Sequence, residues 1–295
     1  MRILVLGITG MLGSTAFRLL SARGDAEVFG LARSESALRW FPGISADRIL
    51  AGIDAASPDR LADAIAQVRP DVVINAIGII KQIDAALDPL TTIPINAELP
   101  HRLALLCALS GARLIHVSTD CVFSGRTGGY REDDPPDATD LYGLSKYLGE
   151  VDQPHALTLR TSIIGPELAT RHGLLEWFLS QRGSVRGYAG TVFSGLTSAE
   201  LTRAIAEYAI PHPELHGLYH VAAAPIAKHD LVRMIRSEYR HPVAIERVAE
   251  PTIDRSLDGD RFRAATGYVA PAWPEMIRQM HFLDERAVRR MEKAS

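Results

Sequence analysis

The sequence is poor in cysteine. Cys107 and Cys121 are the only two in 295 residues. Two cysteines make no disulfide framework, and a reducing, cytoplasmic setting is expected. The chain also lacks an excess of charge of either sign: 32 basic residues stand against 35 acidic ones, a formal net charge of -3. That balance favours neither nucleic acid nor an anionic membrane over a small-molecule partner. Long hydrophobic runs are missing too, since no window approaches the ~20 apolar residues of a membrane span. Residues 1–6 are apolar but run into a glycine turn, so no signal peptide is expected. The ten histidines show no metal-ligand spacing, and no catalytic metal is expected.

What is there is a 47% hydrophobic chain, enough for a full core in one large domain or in a large domain with a smaller one attached. Apolar runs at 3–6, 27–32, 71–75 and 113–118 are aliphatic on both faces, as strands buried in a parallel sheet are. Helical patterns lie between them, at 12–22, 58–68 and 96–109. The second of these has Ser57 at the N-cap position and Pro58 at its start. The alternation predicts βαβ units in a doubly wound, Rossmann-type α/β sheet. After residue 159 glycines and prolines break the pattern. The expected division is a nucleotide-binding domain over 1–162 and a smaller, mainly substrate-binding lobe over 163–295. Elements near 196–224, a helix over 198–209 and a strand over 218–222, return to the first domain.

The first strand ends in Gly7, Gly10 and Gly13, spaced G-x-x-G-x-x-G before a helix. Such a turn lets the backbone approach a pyrophosphate, and the helix opening at Met11 and Leu12 offers N–H groups and a positive dipole end. These five residues are the expected pyrophosphate cradle. The second strand ends in Arg33 and Ser34 with no acidic residue, which suits the 2′-phosphate of NADP(H) over the 2′-hydroxyl of NAD(H). NAD(H) stays open, as does a merely solvated Arg33. Asp54 is placed to meet the adenine. Asn75, Ala76 and Gly78 close the fourth strand where the nicotinamide half passes, although Asn75 could simply tie loops together.

Tyr142 and Lys146 form Y-x-x-x-K. Residues four apart share a helix face. The lysine charge is expected to lower the phenol pKa, which makes the tyrosine a proton exchanger. Upstream, Thr119 ends a strand in S-T-D-C-V-F-S-G, positioned to bond a carbonyl oxygen as it gains charge. The glycine turn, Thr119, Tyr142 and Lys146 together resemble the extended short-chain dehydrogenases. The S-T-D-x-V-F-x-G and Y-G-x-S-K segments, with the tail around Asp254-Arg255-Ser256-Leu257 and Pro271-Ala272-Trp273, are similar to the dTDP-4-dehydrorhamnose reductase branch. The resemblance implies hydride transfer from NAD(P)H to C4 of a nucleotide-linked 4-keto-6-deoxy sugar. Tyr142 would be the acid, Lys146 would bind the nicotinamide ribose, Thr119 would orient the carbonyl, and a homodimer is an option.

Two positions depart from that branch. Cys121 stands where those reductases carry Tyr, and Ile163 follows Ser162 where they place Trp. The departures point to a related sugar nucleotide, an N-acetylated UDP sugar being one. Cys121 and His172 also resemble the cysteine and histidine of GDP-fucose synthases, which would imply epimerisation beside the ketone. The plainer reading, a small buried thiol and a loop histidine, takes precedence. Lys81, Asp120, Arg186, Lys228 and Arg255 are further candidates for substrate contact. The rival readings are a nucleotide-sugar epimerase or dehydratase, which the missing D-E pair after Thr119 disfavours, and a non-catalytic regulatory subunit of the kind found with methionine adenosyltransferases.

Overall fold

The computed structural model describes residues 1–82 and 87–292, with side chains described as far as Asp284. The aliphatic runs of the first half form β1 (Arg2–Leu6), β2 (Glu27–Leu31), β3 (Ile49–Leu50), β4 (Val72–Asn75), β5 (Arg113–Thr119) and β6 (Ala156–Thr161). Further strands are β7 (Ile163–Ile164), β8 (Ser184–Tyr188), β9 (Thr191–Phe193), β10 (Leu196–Thr197), β11 (Gly217–His220), β12 (Ile226–Ala227), β13 (Ala244–Val248) and β14 (Ile253–Asp254). The helices are α1 (Met11–Arg23), α2 (Pro58–Val68), α3 (Pro89–Ile93), α4 (Leu99–Ser110), α5 (Leu141–Leu148), α6 (Leu174–Ser180), α7 (Ser198–Ala204), α8 (Lys228–Glu238), α9 (Asp260–Thr266) and α10 (Trp273–Glu292). Among the described residues no helix is long and apolar enough to cross a membrane.

Seven strands form one sheet in the order β11-β6-β5-β4-β1-β2-β3, every pairing parallel. Alternation along β1 shows why its sequence carries no polar face. Ile3 and Val5 belong to one core and Leu4 and Leu6 to another, on the opposite side of the sheet. The order turns back beside β1, so the C-terminal ends of β1 and β4 open side by side, as at the ligand crevice of open α/β sheets. The strand expected over 218–222 lies at Gly217–His220 and adds to β6. Smaller pairings sit outside this sheet: β7 with β10, β8 with β13, and β9 between β12 and β14.

Three expected elements differ in detail. The helix expected over 96–109 begins at Leu99, behind a π-helical turn at Pro94–Glu98. The one expected over 198–209 is α7 followed by a second π turn, Ile205–Ala209. Ser57 does occupy the N-cap position of α2, but its side chain makes no cap bond, so Pro58 is the effective start signal.

The glycine turn is tightly closed. Gly7 has φ +80° and donates to the Leu31 carbonyl at 3.0 Å, while Gly10 N–H donates to the Gly7 carbonyl at 2.9 Å. A Cβ on Gly13 would lie 2.1 Å from that same carbonyl oxygen, and one on Gly7 would lie 2.9 Å from Ile77 Cγ1. Gly10 has no such constraint, its nearest neighbour for a Cβ being Gly7 O at 3.4 Å. Replacing Gly13 by alanine is therefore expected to destabilise the chain by about 1–3 kcal/mol, the usual range for overpacking. Chemical denaturation checks this, and a wild-type midpoint would contradict it.

Candidate functional site

Thr119 is the last residue of β5 and is 8% exposed. Beyond it the chain turns sharply through Asp120–Val122. The Thr119 hydroxyl accepts from the Cys121 N–H at 3.1 Å and reaches Asp120 Oδ1 at 3.2 Å. Helix α5 begins against this turn. Asp140 caps it by accepting from the Gly143 N–H at 3.0 Å, and a Cβ on Gly143 would lie 2.4 Å from the Cys121 carbonyl oxygen. The glycine thus lets α5 press onto the strand end, and Tyr142 comes to lie beside Thr119.

Lys146 is 5% exposed, and its ammonium donates to the Val117 carbonyl at 2.9 Å. Burial draws its pKa down to about 8, against the opposing charge of Glu150. The phenol departs from expectation. Burial, then the neighbouring Cys121 and Asp120, raise the Tyr142 pKa, while the Thr119 hydroxyl works the other way. Desolvation penalises the charged phenolate. Tyr142 is accordingly held protonated at neutral pH.

A buried network lies behind these groups. Glu150 accepts from Ser118 Oγ at 2.7 Å and from Arg160 Nε and Nη2 at 2.7 and 2.6 Å. Breaking a buried pair of this kind by removing one partner typically costs about 3–5 kcal/mol. Asn96, 1% exposed in the first π turn, accepts from the Ile79 N–H at 2.8 Å and donates to the Ile79 carbonyl at 3.0 Å and to Ser145 Oγ at 3.2 Å. It clamps the segment after β4 to α5. Asn75 does tie a loop: its Oδ1 accepts from the Ile77 N–H and its Nδ2 contacts His116 Nδ1, both at 3.1 Å. Burial holds the His116 pKa well below its usual value, so the ring is neutral and Nδ1 can accept. Asn96, Glu150 and Arg160 escaped the sequence reading. A lone polar residue in an apolar helical pattern was the available signal for Asn96.

The substrate candidates divide. Asp120 is buried, and desolvation raises its pKa while Arg255 and Lys228 oppose that rise, so both cations face it. Arg255 also donates from Nε to the Phe123 carbonyl at 2.8 Å. Lys81 pairs with Asp140 at 2.8 Å beside the mouth of α5. Arg186 instead lies exposed on β8, in register with Glu246 of β13. His172 is exposed in the loop before α6. Neither makes a described hydrogen bond or ion pair to the Thr119 group.

On the nucleotide side, Met11 is covered by residues 165–173: a Cβ on Gly173 would lie 2.6 Å from Met11 Cε. Leu12 and Gly13 are buried in the first turn of α1, which carries no acidic residue. Arg33 is exposed next to Ser34, whose hydroxyl is 2.8 Å from that of Ser36. Asp54 is exposed, and its Oδ1 accepts from the Ala56 N–H at 2.9 Å. Ala76 and Gly78 flank Ile77 at the end of β4, where the backbone meets Gly7.

The thiolate that epimerisation would need is opposed by the surroundings of Cys121. Burial and the adjacent Asp120 charge push its thiol up to about 12. At pH 8 the intact protein is expected to be alkylated by iodoacetamide more slowly than a cysteine peptide, because the thiolate is the nucleophile. Faster labelling of Cys121 would contradict the assignment.

Comparison with known proteins identifies the family and the fold. A dTDP-4-dehydrorhamnose reductase of Salmonella typhimurium is 26% identical over 305 residues, 95% of this chain and 97% of that one. The crystal structure of a hypothetical dTDP-4-dehydrorhamnose reductase from Sulfolobus tokodaii is 27% identical with a TM-score of 0.74, covering 92% of this chain and 98% of that one. A Bacillus anthracis dTDP-4-dehydrorhamnose reductase in complex with NADP shares the fold, with a TM-score of 0.78 at 22% identity over 96% of this chain and 99% of that one. The family described as RmlD substrate binding domain matches residues 1–284, and the chain belongs to that family.

Proposed function

We propose that the chain is an NADPH-dependent reductase of a nucleotide-linked 4-keto-6-deoxy sugar. The observation that carries this reading is the placement of Tyr142 beside Thr119 at the end of β5, with Lys146 bonded to Val117 of the same strand, at the same sheet edge as the glycine turn. The nicotinamide, when bound, supplies the hydride that adds to C4. The residues present fit that cofactor. Gly7 and Gly13 keep side chains out of a turn that a Cβ would block, and the first-turn amides of α1 have no helical acceptor. Arg33 with the Ser34 and Ser36 hydroxyls offers one charge and two polar groups to a 2′-phosphate, the group that the Bacillus relative's cofactor carries.

Thr119 donates to the carbonyl oxygen as it gains charge. Tyr142 gives that oxygen its proton. Its raised pKa keeps the proton in place at neutral pH, which suits reduction, whereas alcohol oxidation needs the phenolate. Lys146 uses one donor on Val117 and has two left for the phenol and the nicotinamide ribose. Arg255 and Lys228, facing Asp120, suit the sugar and diphosphate side. Residues from 163 onward supply most of that side. The raised Cys121 thiol weighs against epimerisation, so Cys121 is a small wall of the sugar pocket.

NADPH oxidation, followed with a panel of dTDP-, UDP- and GDP-4-keto-6-deoxy sugars, tests the reading. One of them is expected to turn over, and Tyr142→Phe to lose about 10²–10⁴-fold in kcat, the usual contribution of a positioned proton donor. No oxidation across the panel by a chain that binds NADPH would overturn it. Arg33→Ala is expected to weaken NADPH binding about tenfold or more, as charged hydrogen bonds warrant, and to leave NADH binding unchanged. Equal NADPH affinities in the two proteins would remove Arg33 from the site.

A further inference from the structure

Four residues beyond Lys146 stands a second buried charge that the chemistry above does not use. Glu150 lies just past the end of α5, with its side chain 11% exposed and that of its partner Arg160 2% exposed. Both carboxylate oxygens are engaged, Oε1 by Ser118 Oγ and Arg160 Nε and Oε2 by Arg160 Nη2. Arg160 is fixed in turn, with Nη1 3.3 Å from His220 Nε2 and its guanidinium 5.2 Å from the Phe123 ring centre. The next residue is gripped by β6: Val151 N–H donates to Thr158 Oγ1 at 3.1 Å, and that hydroxyl donates to the Val151 carbonyl at 2.7 Å. Glu150 therefore cannot swing away unless β6 moves with it.

Other ionisable groups around Lys146 do not take its place. On α5 Tyr142 is a protonated phenol. On β5 His116 is neutral. On α4 His101 is bonded to the Leu148 carbonyl at 2.7 Å. On β6 Arg160 is bound to Glu150 itself. Among the described residues, Glu150 is the negative group whose charge works to raise the Lys146 pKa.

We propose that Glu150 is a positioning residue of the reductase: its bond to Ser118 fixes the strand end that presents Thr119, and its charge, four residues along from Lys146, favours the ammonium form of that lysine. This rests on the reductase reading, and the test separates the two. The full-length chain is labelled with 13C-lysine, and the Lys146 signal is assigned by its loss in Lys146→Arg. In Glu150→Gln the glutamine carbonyl can still accept from Ser118, but the charge is gone. The Lys146 titration is expected to move to lower pH by about one unit, because a neighbouring opposite charge favours the charged form. The alkaline limb of kcat should move with it, and Glu150→Asp, which keeps the charge, should restore both. If Glu150→Gln does not fold, Glu150→Gln with Arg160→Met removes both charges, and a smaller shift in the same direction is expected, because loss of the Arg160 cation partly offsets loss of the carboxylate. An unchanged titration overturns the proposal whether or not any sugar nucleotide is reduced. A shifted titration in a chain that reduces none supports the electrostatic link and overturns the reductase reading instead.

Discussion

A parallel sheet buried on both faces leaves little of each strand free to carry polar chemistry. In β1, Ile3 and Val5 are committed to one core and Leu4 and Leu6 to the other. Polar work is left to the edge where the strands end, and because all seven strands are parallel their C-termini share that edge. Gly7 follows β1, Asn75 ends β4 and Thr119 ends β5. Each is a point where ladder bonding stops and the backbone must find other partners. Gly7 bonds Leu31, Asn75 bonds Ile77, and Thr119 accepts from Cys121.

Burial also decides the charge state of what sits there. Tyr142 is kept protonated, Lys146 is drawn towards neutrality, and Cys121 is kept as a thiol. His220, behind the site, falls to about 4 through burial and the Arg160 charge. The site stays polar because buried charges are matched: Arg255 and Lys228 stand opposite Asp120, and Glu150 sits below Lys146. Two cations face the carboxylate after β5, and the Glu150 carboxylate acts on the lysine of α5. Under the proposed reading that polarity suits an anionic substrate on one side and a proton donor on the other.

Much of this was legible in the sequence where the signal is local. Aliphatic runs placed β1, β2, β4 and β5 within a residue or so, and Pro58 and Val68 bound α2 as expected. Glycine spacing found the turn, and the four-residue interval found Tyr142 and Lys146. What depends on distant packing was not legible. The short pairs β7 with β10 and β8 with β13 join segments far apart in the chain, and no run of two to five residues announces its partner. The same holds for charge. Y-x-x-x-K suggests a cation beside a phenol, but the depth of burial that raises the phenol pKa is a property of the whole fold. For Cys121 the sequence left a base role open beside the plainer reading of a small buried thiol, and it is Asp120 and the surrounding burial that oppose the thiolate.

The π turn at Pro94–Glu98 has an evolutionary and engineering side. Such a turn holds one residue more than an α-helix accommodates, and it is here that Asn96 reaches both Ile79 and Ser145. Deleting a residue ahead of Asn96 to restore regular helix would rotate Asn96 relative to the preceding turn by about 100°, the angle each helical residue subtends. Asn96 would then face away from the loop after β4, and the helix would gain regularity while that loop lost its clamp. The irregularity is thus a record of where the chain can neither shed nor gain a residue, although nothing in its apolar pattern marks the spot.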